Sequence, residues 1–209
     1  MTTLALQIGT QVKDPERVRL RREQIVHAAV ELFIQKGFHR TTTREIAKAS
    51  GLSNGALYEY VETKEDILFL VCRHIHQEVR NRLADCLRLP GCGAEKLRQA
   101  LYSFCEVMVA MQDEILLIYQ ESKALPKVYL REVLAEEQMV VGIFEKLLYE
   151  GIEDGSIQLP ADRVSILAQD AVAMGEMIAF RRWALRAFEG PTLLATQVDL
   201  ILRAAGVSP

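Results

Sequence analysis

A chain of 209 residues, half of them hydrophobic and a quarter charged, has the composition of an ordinary globular protein and length enough for a sizeable core. No apolar run reaches the ~18–20 residues that a membrane helix requires, and the first twelve residues lack the basic start of an export signal, so a cytoplasmic protein without membrane association is expected. The formal net charge of -3 excludes a uniformly basic nucleic-acid binder, but it is unevenly spread: Lys13 to Lys64 holds ten basic and seven acidic residues, and the remainder fifteen and twenty-one.

Residues 1–13 show no periodicity and read as a flexible arm. Asp14-Pro15 is a helix start, with Asp as the cap and Pro at the first helical position. The first helix runs to about Lys36 on an apolar stripe of Ile25, Ala28, Ala29, Leu32 and Phe33, and Gly37 stops it. Arg17, Arg19, Arg21 and Arg22 crowd its beginning and are read as phosphate contacts in preference to a solvated face.

The segment TTTREIAKASGLSNGALYEYVETKEDIL, from Thr41 to Leu68, organises the rest. Thr42 followed by Glu45 is a capping box, Gly51 suits the left-handed turn that closes a helix, and Ser53 caps the next helix, Asn54 to about Val61. Two helices joined by a short Gly-containing turn form a helix-turn-helix, whose second helix enters the DNA major groove. That helix offers Asn54, Gly55, Ala56, Tyr58 and Tyr60 to DNA. Ser53 and Asn54 can bond base edges or phosphate, and small Gly55 and Ala56 admit the backbone to the groove. Tyr58 and Tyr60 can bond phosphates through their hydroxyls, with Tyr58 also free to pack on the first helix. Glu59 is unexpected on such a face; it points aside or accepts from a cytosine amine.

The pattern TxREIAxxxGLSxGxLYxY, followed by KEDIL, resembles the DNA-binding signature of the TetR family of transcriptional repressors. The resemblance implies an all-α protein with an N-terminal three-helix helix-turn-helix domain, residues 1–66, and a helical effector-binding and dimerisation domain, residues 67–209. It implies backbone and base contacts for Thr43 and Arg44, and a phosphate contact for Lys64. The partner it implies is a palindromic double-stranded DNA operator, read by a homodimer.

Beyond the reader, Thr63 caps a fourth helix running to about Leu89, and Pro90-Gly91-Cys92-Gly93 ends it. A fifth helix follows from Ala94 to about Met111, a sixth from Asp113 to Leu125, and a seventh from Lys127 to Glu150, ended by Gly151. An eighth, Asp162 to about Phe188, and a ninth, Thr192 to Ala205, bring the expected total to about nine. The last two carry more apolar surface than a small body needs, which together with the resemblance marks them as the homodimer interface.

No catalytic constellation and no metal-ligand spacing occurs, so neither an enzyme nor a metal site is expected. Cys72, Cys86, Cys92 and Cys105 read as reduced thiols, with a redox sensor as a minor alternative. Phe104, Met108, Met111, Tyr119, Met139, Phe144, Met177 and Phe180 are flat or flexible side chains suited to a hydrophobic effector. The segments YQESKALP and FRRWAL resemble the ligand domains of family members that respond to acyl-CoA thioesters. Arg181 and Arg182 then suit phosphates and Trp183 a stacked ring. The effector implied is an acyl-CoA and the regulated process fatty-acid or related acyl metabolism; no resident cofactor is expected. The alternative is a regulator of multidrug efflux answering to hydrophobic or aromatic drugs.

Overall fold

The computed structural model describes residues 8–207, and among these it contains ten α-helices and no strand. They are α1 (Pro15–Lys36), α2 (Thr43–Ala49), α3 (Asn54–Leu57), α4 (Lys64–Ala84), α5 (Gly93–Ala110), α6 (Gln112–Glu121), α7 (Lys127–Glu153), α8 (Val164–Phe180), α9 (Arg182–Leu185) and α10 (Gly190–Ala204). None of them is long and apolar enough to cross a membrane. The helices form two compact units: the described chain up to His76 with Leu116–Glu136, and Gln77–Ile115 with the chain from Glu137.

In the first unit the local signals act as expected. Asp14 accepts from the backbone N–H groups of Glu16 and Arg17 at the start of α1. Gly37 ends α1 at φ 79° and donates its N–H to the Phe33 carbonyl at 2.8 Å. The Thr42–Glu45 capping box is complete, and Lys36 and Thr42 together hold the Glu45 carboxyl down to about 2. Gly51 takes φ 71°, and Leu52 donates back to the Ala47 carbonyl at 2.8 Å, which closes α2 tightly enough to turn into α3. Ile46, Ala47 and Leu57 are buried where α2 meets α3, alongside a core of Ile25, Ala29, Phe33 and Phe38. The start of α4 is capped by Thr63 and by Asp66, whose carboxylate accepts from the N–H groups of Glu62 and Thr63.

The second unit is built on α5, which packs against both α8 and α10, while those two also pack on each other. Its apolar stripe of Leu97, Leu101, Phe104, Cys105 and Met108 is fully buried. Phe104 meets Phe144 of α7 edge-on at 5.4 Å and fills the space over Gly175 of α8. The N-terminus of α5 is satisfied from the loop after α7: Asp154 accepts from Gly93 N–H at 2.6 Å and Ser156 from Ala94 N–H at 3.0 Å.

Several boundaries differ from the sequence reading. The fourth helix is α-helical only to Ala84, after which Asp85–Arg88 tightens into a 3-10 turn. The seventh continues through Gly151 to Glu153, because a glycine away from positive φ does not stop a helix. The eighth breaks at Arg181, whose ψ of 18° leaves the helical range, and this break supplies the tenth helix. Of the expected flexible arm, residues 1–7 lie outside the described residues, but Ile8 is buried and the chain from Ile8 to Val12 is tied to the reader.

Glu176 of α8 is largely buried, and burial together with the nearby Glu137 carboxylate pushes its own carboxyl up to about 7. The folded state then holds a proton that the unfolded chain, titrating near 4.5, has released. This group's stabilising proton is fully present below the unfolded value and is lost as pH rises through the folded one. Glu176→Gln is therefore expected to raise the melting temperature at about pH 8 and to leave it nearly unchanged at about pH 4. Thermal melts at both pH values check this; an equal shift at both would show that the group is not the one titrating.

Candidate DNA-reading face and effector residues

The reading face is assembled from two short elements. Thr43, in the first turn of α2, shares a hydrogen bond with the Tyr58 hydroxyl just beyond α3, Oγ1 to Oη at 3.0 Å. Arg44, Ser53, Asn54 and Gly55 are exposed beside them, and Ala56 is half-buried. Ser53 Oγ accepts from Ala56 N–H at 3.1 Å, so it serves as the cap of α3 while its hydroxyl proton stays available. Tyr58 is 40 % exposed, so its ring packs in part while its hydroxyl reaches the same surface as Thr43.

One expected DNA contact is corrected, and a second residue is engaged within the protein. Tyr60 is 2 % exposed, and its ring is core. Lys64 directs its ammonium at the carbonyls of Phe38, His39 and Thr41, at 3.0, 3.3 and 3.1 Å, and lies 4.3 Å over the Phe38 ring. With its ammonium on these three carbonyls, Lys64 closes the turn between α1 and α2. The recognition helix is also shorter than expected. Beyond Leu57 tight-turn bonds appear, Glu59 N–H to Ala56 and Tyr60 N–H to Leu57, beside one α-type bond from Val61 N–H to Leu57. The freed carbonyls are taken from outside: Glu59 accepts from Thr10 Oγ1 and Gln11 N–H, and Tyr60 accepts from Arg22.

The arginines of α1 separate by role. Arg19 pairs with Glu16 and Glu23, and Arg21 bonds Gln24. Arg22 is half-buried and spends its guanidinium on backbone carbonyls, while Arg17 and Arg19 are exposed. The sequence reading also missed two anchors within this unit. Tyr129, at the start of α7, donates to Asp66 at 2.5 Å and stacks on Phe69 at 4.4 Å; burial and the Asp66 carboxylate push its hydroxyl up to about 12. Glu121, at the end of α6, accepts from Phe38 N–H at 3.2 Å. Nothing in the sequence pattern distinguishes these residues from ordinary surface positions.

The expected effector residues differ widely in burial. Phe104, Met108 and Phe144 are at most 1 % exposed and fill the core of the second unit, and Met111 is buried. Met177 and Phe180 are half-buried on α8. Tyr119 and Met139 are more than half exposed. Arg181, Arg182 and Trp183 stand exposed at the break between α8 and α9, with the Arg181 guanidinium 5.2 Å from the Trp183 ring and Arg182 paired with Asp113. An apolar groove of about 670 Å3 runs between α5, at Tyr102, Glu106 and Val109, and α10, at Pro191, Leu194 and Ala195; its lining includes none of the expected effector residues.

No group of three or more side chains suited to a metal ion occurs among the described residues. The four cysteines are free thiols, and burial pushes Cys72 up to about 12 and Cys105 to about 11, which makes both poor nucleophiles.

Residues 25–71 match the family of bacterial regulatory proteins of the tetR type, and residues 91–179 match the tetracycline-repressor-like C-terminal domain. Together the two matches span more than half of the chain. The HTH-type transcriptional regulator HbdR of Aromatoleum is 34 % identical over 118 residues, covering 56 % of this chain and 52 % of that protein. The chain's match thus spans about half the length of this relative. The fatty acid metabolism regulator protein of Bacillus subtilis is 26 % identical over 136 residues, 65 % of this chain and 70 % of its own. The crystal structure of the regulator FadR from Bacillus subtilis with stearoyl-CoA superposes with a TM-score of 0.72 at 21 % identity, covering 87 % of this chain and 98 % of that one, and so shares the fold. With its helix-turn-helix and its helical body both matched, the chain belongs to the tetR family of bacterial transcriptional regulators.

Proposed function

We propose that this regulator is a cytoplasmic homodimeric repressor that leaves a palindromic operator when it binds an acyl-CoA, controlling fatty-acid or related acyl metabolism. The observation that carries the effector class is the exposed Arg181–Arg182–Trp183 cluster at the α8–α9 break. Two guanidiniums suit a polyphosphate, and an indole suits a stacked purine. A fatty-acid regulator among the relatives, and a stearoyl-CoA complex among the structures of the same fold, support the same class.

The reading face is Thr43, Arg44, Ser53, Asn54, Gly55, Ala56 and Tyr58. One such short helix reads too few bases for useful affinity, and a two-fold pair solves this. Exposed apolar residues on the last helices, Ile166 of α8 and Leu200 of α10, support these helices as the dimer surface. For signalling, α7 carries Met139 and Phe144 along its length and Tyr129 at its start. Displacement of Tyr129 reaches Asp66, and through it the Glu62–Thr63 turn that follows the recognition helix. By linkage the effector must bind the DNA-free conformation better, and DNA must weaken effector binding by the same factor. Reversing a 1:99 balance takes about 5.5 kcal/mol of differential affinity.

Calorimetry with long-chain acyl-CoA, free fatty acid and CoA alone tests the effector. Heat is expected with the thioester, weakened roughly tenfold or more by Arg181→Ala with Arg182→Ala, since each charge-assisted bond to phosphate is worth about 1.5–3 kcal/mol. Absence of heat with any thioester would sink the acyl-CoA reading. Tight binding of an uncharged aromatic compound, indifferent to both arginines, would favour the efflux alternative.

A further inference from the structure

Arg22 is the feature that neither the family resemblance nor the DNA face accounts for. Its Nε and Nη2 donate to the Tyr60 carbonyl at 3.0 and 2.9 Å, and Nη2 also reaches the carbonyls of Ile8 and Gly9 at 2.8 and 3.0 Å. One guanidinium in α1 therefore grips two other stretches of chain: the turn that ends the recognition segment and the strand of backbone that precedes α1. The same two stretches are joined a second time, by Thr10 and Gln11 on the Glu59 carbonyl, and Ile8 is buried beneath them. The recognition helix is only one turn long, from Asn54 to Leu57. A helix that short cannot hold its own axis; its direction is set by what fixes its two ends. Ser53 and the Gly51 turn fix the first end. The second end is fixed by carbonyl bonds from Arg22, Thr10 and Gln11.

We infer that Arg22 is a positioning residue for DNA reading: it makes no contact with DNA but locks the end of the recognition helix and the segment before α1 into one body. The inference rests on α2 and α3 forming the reading face. Its chemistry asks for Arg in particular. A planar guanidinium sends two parallel donors to one carbonyl and keeps another donor for a second direction, while a lysine ammonium at the end of a flexible stem cannot reproduce that fork.

The test separates a positioning role from a phosphate contact and from mere stability. A duplex selected from a random-sequence pool by the unmodified protein, and an unrelated duplex of equal length, are titrated by fluorescence anisotropy over a series of salt concentrations. Arg22→Lys and Arg22→Ala are both expected to lose roughly tenfold in affinity for the selected duplex, with little change on the unrelated one and an unaltered salt slope. A lysine variant that binds as well as the unmodified protein overturns the inference. So does a loss shared equally by both duplexes with a slope reduced by about one, since that is the signature of a phosphate contact. Circular-dichroism melts accompany each variant. Should the Arg22 variants fail to fold, deletion of residues 2–9 decides, because it removes the Ile8 and Gly9 carbonyls and leaves the Tyr60 bond. A fall in the ratio of selected to unrelated affinity supports the lock, and an unchanged ratio overturns it. If the unmodified protein selects no duplex at all, what fails is the reading of α2 and α3 as the DNA face.

Discussion

Gly55→Glu is expected to abolish sequence-specific DNA binding while the protein stays folded and keeps the oligomeric state of the unmodified chain. Gly55 is exposed at the second position of α3, and a Cβ built on it meets nothing nearer than Ser53 Oγ at 4.0 Å. Its φ is not positive, so an L side chain adds no backbone strain. The local effect on the helix is favourable if anything, since Glu is a better helix former than Gly by roughly 0.5–1 kcal/mol. The carboxylate, however, stands where Thr43, Arg44, Asn54 and Tyr58 would meet a phosphate backbone. Like charges brought together across an interface cost several kcal/mol, so the loss should reach about a hundredfold or more. Anisotropy titration measures the loss, and light scattering with a thermal melt measures what is retained. Binding within about threefold of the unmodified protein would remove α3 from the DNA interface, since that is under 1 kcal/mol.

Gly93→Ala is expected to be the most damaging single methyl group in the chain. Gly93 opens α5, and its missing Cβ would lie 2.2 Å from the backbone nitrogen of Gly151 and 2.3 Å from its Cα. Those atoms belong to the α7 backbone, which cannot rotate aside as a side chain would. Relieving the clash means parting α5 from α7, and with it the capping of α5 by Asp154 and Ser156. Overpacking of a well-filled core costs about 1–3 kcal/mol and more where backbone must move, so a loss near 3 kcal/mol is expected. For a chain of this size that corresponds to a melting temperature lower by roughly 6–12 °C. Gly142→Ala is the control: it lies inside α7 with nothing within 4 Å of a built Cβ. It should gain up to about 1 kcal/mol, the propensity difference alone. A Gly93→Ala protein melting within about a degree of the unmodified chain would mean that the α5–α7 contact yields freely.

The difference between Gly55 and Gly93 shows where sequence reading stops. Both are small residues near the start of a helix. One has open space where a side chain would stand, while another backbone passes through that space at the other. Only the second has a partner nearly sixty residues away, and no local pattern records that. The burial of the expected effector residues was hidden from the sequence for a related reason. Phe104, Met108 and Phe144 look adaptable by type, but Phe104 is wedged between Phe144 and Gly175, which makes it a packed ring. Arg181, Arg182 and Trp183 stand apart from it at a helix break that the apolar pattern of the eighth helix runs straight through.

Taken by itself, the sequence determined the family, the all-helical class, the helix-turn-helix and the N-caps of the first four helices. Asp14, Thr42, Ser53 and Thr63 act on backbone groups two or three residues away, and Gly37 and Gly51 on their own φ angles, so their effects are written where they act. The tertiary structure alone decided which exposed-looking cations are spoken for. Lys64 finds its carbonyls up to 26 residues back, and Arg22 finds Tyr60 38 residues on. A basic side chain on a helix face reads the same whether it ends in water, on a phosphate or on a carbonyl. Its partner depends on how distant segments pack, and that is set by the burial of Ile46, Leu57, Tyr60 and Phe38 in the core of the reader.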